Sequence, residues 1–208
     1  MKKLLSTFLM FVLLVSGCTI TQEFNFNNDF SGEMKNEIDF SILTALMGMD
    51  STGTNSLDTL EIVYRETLNK LMNVRGISNQ ELNWTNDSSK LILSYNFKDI
   101  EALNRALAAS EILGEGKEKN GSFKLKRKKL TYTTPVFDLD SLKNNENMKT
   151  SGDFFNFNLH FTFKDEIKKL SGNKDIDISE DRKNIEASYN LNQLINKEII
   201  REIEFKLK

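Results

Sequence analysis

Residues 155–163 read FNFNLHFTF, with an aromatic or aliphatic side chain at every odd position and Asn, His or Thr at every even one. Alternation with a period of two is typical of a β-strand with one buried face, and phenylalanine favours strands. The same alternation returns at residues 185–191 and 199–207. Strands that follow one another without a helix predict an antiparallel β module over residues 153–208, which either packs on the preceding unit or extends its sheet.

Residues 29–134 carry a different order of patterns, in which alternating and helical stretches succeed one another. The sequence predicts, in order, a strand at 32–40, a helix at 56–73, strands at 77–84 and 90–97, a helix capped by Asp99, and a strand at 122–133. The order βαββαβ is typical of a ferredoxin-like unit, with both helices on one face of an antiparallel sheet. The predicted fold class is therefore α+β, a ferredoxin-like unit followed by the antiparallel β module.

Two polar stretches flank this unit. Residues 18–28 are polar apart from Cys18, Ile20 and two phenylalanines, so we expect a tether there or the beginning of a first strand. Residues 135–152 begin with the single proline, Pro135, and continue as an asparagine-rich segment that predicts a linker.

The amino terminus has the pattern of a secretory signal. Two lysines follow Met1, an apolar run then extends from residue 4 to 15, and small residues lie directly before Cys18. The apolar run is shorter than the roughly 20 helical residues that cross a bilayer. We therefore predict that residues 1–17 are a signal peptide rather than part of the fold.

Composition excludes several classes of site. The chain of 208 residues contains one cysteine and one histidine, and its formal net charge is −2. A single cysteine cannot form an internal disulfide, and with one histidine it supplies no ligand set for a structural zinc ion or an iron–sulfur cluster. The near-neutral charge gives no reason to expect nucleic acid as a partner. We expect no metal, no cofactor and no nucleic-acid partner.

No arrangement of residues predicts catalysis. His160, the only possible base of a Ser-His-Asp or Cys-His mechanism, stands among the polar positions of the strand at 155–163, and no Gly-x-Ser-x-Gly motif occurs. Ser171 and Lys174 match Ser-x-x-Lys, but Gly172 between them predicts a turn rather than a buried helix. We expect a protein that is not an enzyme. A hydrolase that uses only carboxylates stays open as an alternative, because such pairs meet in space and not in sequence.

An acidic group at Asp175, Asp177, Glu180 and Asp181 provides oxygen ligands that a hard cation such as calcium would accept. The spacing lacks the central glycine and the final glutamate of an EF-hand loop. The acids also alternate with isoleucines, which favours the outward face of a strand over a metal site.

The chain has one basic cluster, formed by Lys124, Lys126, Arg127, Lys128 and Lys129. At a membrane such a cluster could contact anionic headgroups, at about 1 kcal/mol per residue that reaches the surface. The alternative is an edge strand whose lysines prevent pairing with other chains.

The residues Val15-Ser16-Gly17-Cys18 resemble the lipobox of bacterial lipoproteins. The resemblance implies that Cys18 receives a diacylglycerol on its thiol, that signal peptidase II cuts just before it, and that the new amino group is usually acylated as well. Position 19 holds Thr19 rather than the Asp of inner-membrane retention, which implies an outer-membrane location. Acyl chains contribute about 0.8 kcal/mol per buried methylene, so two or three of them form a stable anchor.

The rest of the chain resembles an uncharacterised group of Bacteroidetes outer-membrane lipoproteins. The resemblance lies in the basic segment 166–172, the turn at 179–183 and the closing strand at 185–191, and in Asp29, Ser31 and Gly32 before the first strand. The chain also resembles, more distantly, the LppM-like lipoproteins, in which an α/β unit follows a lipobox. Neither resemblance implies an enzymatic activity or a catalytic residue.

The Bacteroidetes resemblance further implies acceptor sites for periplasmic O-glycosylation. Three places match the pattern of Asp, then Ser or Thr, then an apolar residue or Thr, with Ser51, Thr59 and Ser141 as the acceptor hydroxyls.

From these observations we expect a lipoprotein anchored to the outer membrane through Cys18, facing the periplasm. It would act as a non-enzymatic binding or assembly module of the cell envelope, with a protein or lipid partner. The alternative is a carrier of lipid or glycolipid in which the phenylalanines of residues 155–163 enclose an apolar cavity.

Overall fold

The computed structural model describes residues 18–40, 54–85, 89–110, 121–135, 155–172, 176–196 and 199–208. The strands are β1 Thr19–Phe26, β2 Gly32–Asp39, β3 Ile77–Trp84, β4 Lys90–Phe97, β5 Ser122–Lys126, β6 Lys129–Thr133, β7 Asn156–Phe163, β8 Ile167–Ser171, β9 Ile176–Ile178, β10 Asn184–Asn190 and β11 Glu202–Leu207. The helices are α1 Thr54–Leu71, α2 Ile100–Ala109 and α3 Leu191–Ile195.

The strands form two sheets. Sheet A has seven strands in the order β3-β4-β2-β1-β7-β10-β9, and sheet B has four in the order β5-β6-β11-β8. Within these sheets β1 and β7 run parallel, and the other neighbours run antiparallel. The α+β class predicted from the sequence is confirmed.

The ferredoxin-like topology is correct for three of its four strands. Strands β3, β4 and β2 lie side by side in the expected order, but β5, the expected fourth strand, lies in sheet B. Its place beside β2 is taken by β1, which pairs with β2 along all eight residues. Strand β1 can fill that place because it buries Ile20, Phe24 and Phe26 on one face.

The prediction that residues 18–28 form a tether is therefore wrong, and the structure realises the alternative of a first strand. Strand β1 begins at Thr19, directly after Cys18, and lies in the middle of sheet A. Its buried side chains occupy alternate positions, as expected for a strand with one face in the core.

The single strand expected at 122–133 is two strands, β5 and β6, joined by a tight turn. Arg127 at this turn has a φ of 59°, in the left-handed region. The turn contains neither glycine nor asparagine, the residues that usually signal such a conformation, so the alternation runs through it without a visible break.

Residues 153–208 do not form a separate module. Strands β7, β10 and β9 extend sheet A beyond β1, whereas β8 and β11 complete sheet B. The expectation that this part extends the first sheet is correct for three of its five described strands. The predicted linker at 135–152 lies outside the described residues apart from Pro135.

The core lies between the inner face of sheet A and a second layer made of sheet B and the helices. Phe161 of β7 contacts four rings, one from β1 of sheet A and one each from β5, β6 and β11 of sheet B, with centroid distances of 5.0 to 6.3 Å. On the helical side, Tyr64 of α1 is buried and donates a hydrogen bond of 3.1 Å to Asn36 of β2. Asp99 caps α2 as predicted, accepting a hydrogen bond from the Ala102 backbone N–H.

Candidate functional site

Cys18, the predicted lipid attachment residue, stands at the start of the described fold. Its side chain is 0% exposed and points to the inner face of sheet A, in the same alternation as Ile20. Burial, together with the nearby Asp39 carboxylate, raises the pKa of the Cys18 thiol. Its backbone carbonyl accepts a 3.1 Å hydrogen bond from Asn156, which joins it to β7. The raised pKa favours the neutral thiol over the reactive thiolate.

The predicted basic cluster lies in sheet B. Lys124 and Lys126 belong to the edge strand β5, Arg127 and Lys128 form the turn, and Lys129 begins β6. All five side chains are exposed. The edge-protection alternative thus suits Lys124 and Lys126, but β6 is an interior strand of its sheet.

His160 lies on the polar outer face of β7, as predicted, and is half-buried. Its neighbours in register are Glu23 of β1 on one side and Glu186 of β10 on the other. The three side chains form a lateral row across the sheet. The row contains no serine or cysteine nucleophile.

The acidic group predicted near residue 177 does not converge. Asp177 is exposed on β9, whereas Glu180 and Asp181 lie in the turn that follows. Hydrogen bonds from the Ser179 hydroxyl and the Lys183 backbone N–H lower the pKa of Asp181. Asp175 lies outside the described residues. Over the part of the chain that the structure describes, no three Cys, His, Asp or Glu side chains could hold a metal ion.

The remaining predicted residues do not form a site. Ser171 ends β8 instead of opening a helix, and Lys174 lies outside the described residues. Among the expected glycosylation acceptors, Thr59 falls within α1, while Ser51 and Ser141 lie outside the described residues.

A polar groove on the outer face of sheet A was not predicted. It has a volume of about 480 Å³ and lies at the end of the sheet away from Cys18. Asn96, Glu33, Asn25 and Thr162 line it, and they stand in one lateral row across β4, β2, β1 and β7. Their amide and hydroxyl groups can donate and accept hydrogen bonds to a polar ligand. Only the strand register brings them together, so the sequence carries no signal for the groove.

A rigid turn at residues 27–31 forms the rim of this groove. The Ser31 backbone N–H and hydroxyl both donate to the Asp29 carboxylate, at 3.0 and 2.6 Å, and these bonds lower the pKa of Asp29. The next residue is Gly32, where a Cβ atom would lie 1.9 Å from the Asn25 carbonyl oxygen. Only glycine fits this close approach of the two strands.

Comparisons with known proteins give a distant structural likeness. No protein-family model matches the chain. No curated protein matches it either. A solved structure that is similar is the NMR structure of the folded domain of the LppM protein from Mycobacterium tuberculosis, at 10% sequence identity and a TM-score of 0.47. The likeness covers 92% of this chain and 89% of that one.

None of the helices in the described ranges is long and apolar enough to cross a membrane. Helix α2 is ten residues long, and its buried side chains face the core.

Proposed function

We propose that this chain is a lipoprotein, anchored to the periplasmic side of the outer membrane through Cys18, that acts as a non-enzymatic binding or assembly module of the envelope. The observation that carries the proposal is the position of Cys18. It is the last residue of the lipobox pattern and the residue directly before β1. Every described element therefore follows Cys18, and cleavage before it would leave the described fold whole.

The strand pairing around Cys18 allows this residue to leave its buried position when its sulfur carries a lipid. Ladder pairing of β1 begins at Thr19, so the cysteine can turn outward without loss of a strand pair. The cost is the hydrogen bond from the Asn156 backbone N–H to the Cys18 carbonyl. A diacylglycerol cannot share the thiol's enclosed site, because protein interiors are close-packed. In the anchored protein we therefore expect Cys18 to leave the core.

The alternative, a lipid or glycolipid carrier, needs open apolar space behind the phenylalanines of β7. Phe161 and Phe163 of this stripe contact rings of other strands, and Phe161 is 0% exposed with four ring neighbours. This packing accounts for the stripe as a core and favours the anchored binding module. Native mass spectrometry that finds co-purified lipid besides the covalent anchor would restore the carrier.

The anchor is tested by mass spectrometry of the full chain expressed with and without globomycin, an inhibitor of signal peptidase II. We expect untreated cells to hold a product that starts at an acylated Cys18, and treated cells to accumulate a diacylglycerol-linked precursor. Cys18→Ser should abolish the lipid, whereas Ser16→Ala, which keeps a small residue at the cleavage site, should be processed normally. A mature product without lipid, or an unchanged product under globomycin, would refute the anchor.

A further inference from the structure

Four lysines stand in one lateral row across sheet B. Lys126 of β5 pairs with Lys129 of β6, Lys129 pairs with Lys206 of β11, and Lys206 pairs with Lys169 of β8. All four side chains are exposed on the outer face of the sheet. Since neighbouring strands lie roughly 4.8 Å apart, the row is about 14 Å long. We call it the lysine row.

Protection of a sheet edge does not explain the lysine row. Lysines prevent unwanted pairing when they lie on edge strands. Lys129 and Lys206, however, lie on β6 and β11, the two interior strands of sheet B. Like charges directly opposite one another on neighbouring strands destabilise a sheet. Repulsion within the row is thus unfavourable for the isolated fold. This cost points to a ligand that neutralises the positive charge of the row.

Little negative charge within the protein compensates the row. Among the described residues, Lys129 is paired with Glu204 at 2.5 Å, but Lys126, Lys169 and Lys206 form no ion pair. The turn between β5 and β6 adds Arg127 and Lys128 beside the row. The outer face of sheet B is therefore an exposed surface with excess positive charge.

We propose that the lysine row binds the anionic lipid headgroups of the membrane that holds the anchor. This inference rests on the proposed function, because the anchor is what keeps sheet B near a bilayer. A row of exposed ammonium groups is complementary in charge to the phosphates of a membrane surface. Each lysine that reaches an anionic surface raises the partition coefficient about fivefold.

Anchoring through Cys18 restricts the orientation of the domain on a membrane. The Lys164 backbone N–H donates a hydrogen bond to the Phe26 carbonyl at the end of β1. The Lys208 N–H donates to the Glu166 carbonyl, and the Leu207 N–H donates to the Lys128 carbonyl. Together these contacts place the β5–β6 turn towards the far end of β1. That end is about 26 Å from Cys18 for a strand of eight residues. Cys18 precedes the first ladder pair of sheet A, so its acyl chains are not fixed to one face of the sheet. Anchor and lysine row can thus contact one bilayer when β1 lies along the membrane surface.

Amine labelling of the anchored protein tests this contact. The acylated full chain is reconstituted into vesicles of phosphatidylcholine alone, or of phosphatidylcholine with phosphatidylglycerol, and a water-soluble acylating reagent is quantified at each lysine by mass spectrometry. We expect labelling of Lys126, Lys129, Lys169 and Lys206 to fall at least threefold in the anionic vesicles. Lys98, exposed after β4 and outside sheet B, serves as the control and should be labelled equally in both. The protection should disappear at 1 M salt, where screening acts within about 3 Å.

A double variant in the middle of the lysine row provides a second test. Lys129→Gln with Lys206→Gln should restore labelling of Lys126 and Lys169 in anionic vesicles, whereas Lys98→Gln should not. Equal labelling of the row in both kinds of vesicle overturns the proposal. Protection that appears in detergent and grows with protein concentration also overturns it, because it identifies a second copy of the chain as the partner. If the purified chain carries no acyl group, the proposed anchor fails; if it is acylated but unprotected, only this inference fails.

Discussion

The outer faces of sheets A and B handle charge in opposite ways. On sheet A, Lys35 lies 2.9 Å from Glu37 and 3.5 Å from Glu23, and Lys90 lies 2.9 Å from both Glu37 and Asp39. Basic and acidic side chains alternate there across neighbouring strands. On sheet B, lysines stand opposite lysines. Lys35 and Lys90 on sheet A are thus paired with carboxylates, whereas three of the four lysines in the row on sheet B have no ion pair among the described residues.

The largest expected loss of stability comes from removing the aromatic contact that joins the two sheets. Phe161→Ala removes a ring that touches Phe24, Phe123, Tyr132 and Phe205. We expect a loss of about 3–5 kcal/mol in the free energy of unfolding, measured by urea denaturation, because the cavity cannot close between two rigid sheets.

The matched control for this substitution is Ile62→Ala, at a side chain that is 56% exposed on α1. It should change stability by less than about 0.5 kcal/mol. Similar losses in the two variants would show that the aromatic contacts do not join the sheets.

A smaller loss of stability is expected when one of the paired charges of sheet A is removed. Partial burial raises the pKa of Glu37, but hydrogen bonds from Lys35 and Lys90 outweigh it, so the net pKa is lowered. A lowered pKa gives stability that is present above the unfolded-state value and is lost as the pH falls through the folded-state value. Glu37→Gln should thus cost less than about 1 kcal/mol at pH 7, since solvent screens part of the interaction, and the cost should shrink towards pH 3.

Urea titrations of the wild type and Glu37→Gln at pH 7 and pH 3 measure this difference. The control is Glu33→Gln, on the same face of β2, where the structure describes no ion pair. A cost that is the same at both pH values would contradict the assignment to ion pairs.

The smallest expected effect has the opposite sign. Lys206→Gln removes the charge between Lys129 and Lys169 and should stabilise the soluble domain by about 0.2–1 kcal/mol at low salt. The gain should vanish in 1 M salt. Lys98→Gln, outside the row, should give no gain. If Lys206→Gln destabilises the fold at low salt, the two outer faces do not differ as described.

The sequence predicted the elements of this fold better than their arrangement. Alternation identified β2, β3, β4, β7, β10 and β11, and Asp99 was recognised as a helix cap. Alternation shows that one face of a strand is buried, but not which strand lies beside it. That is why β1 and β5 exchanged roles: both alternate, and only pairing distinguishes them. Strand β8 was missed because lysines occupy two of its five positions.

The same limit applies to the candidate sites. Cys18 and the cluster at residues 124–129 were visible because their residues are adjacent in the sequence. Lys169 and Lys206 joined the cluster only through strand register, as did the four side chains that line the groove on sheet A. Position 206 was already predicted to face outward, between Phe205 and Leu207, but its neighbours come from segments distant in sequence.

The parallel pair of β1 and β7 also has a consequence for the order of folding. Residues that meet across this pair are 137 positions apart, as Thr21 and Asn158 are. A contact so distant in sequence forms late, since the entropy of closing the intervening chain opposes it. Strand β1 thus waits with one edge unpaired until a further 137 residues, about two-thirds of the chain, have followed. We expect the arrival of β7, rather than local helix formation, to set the time at which sheet A closes.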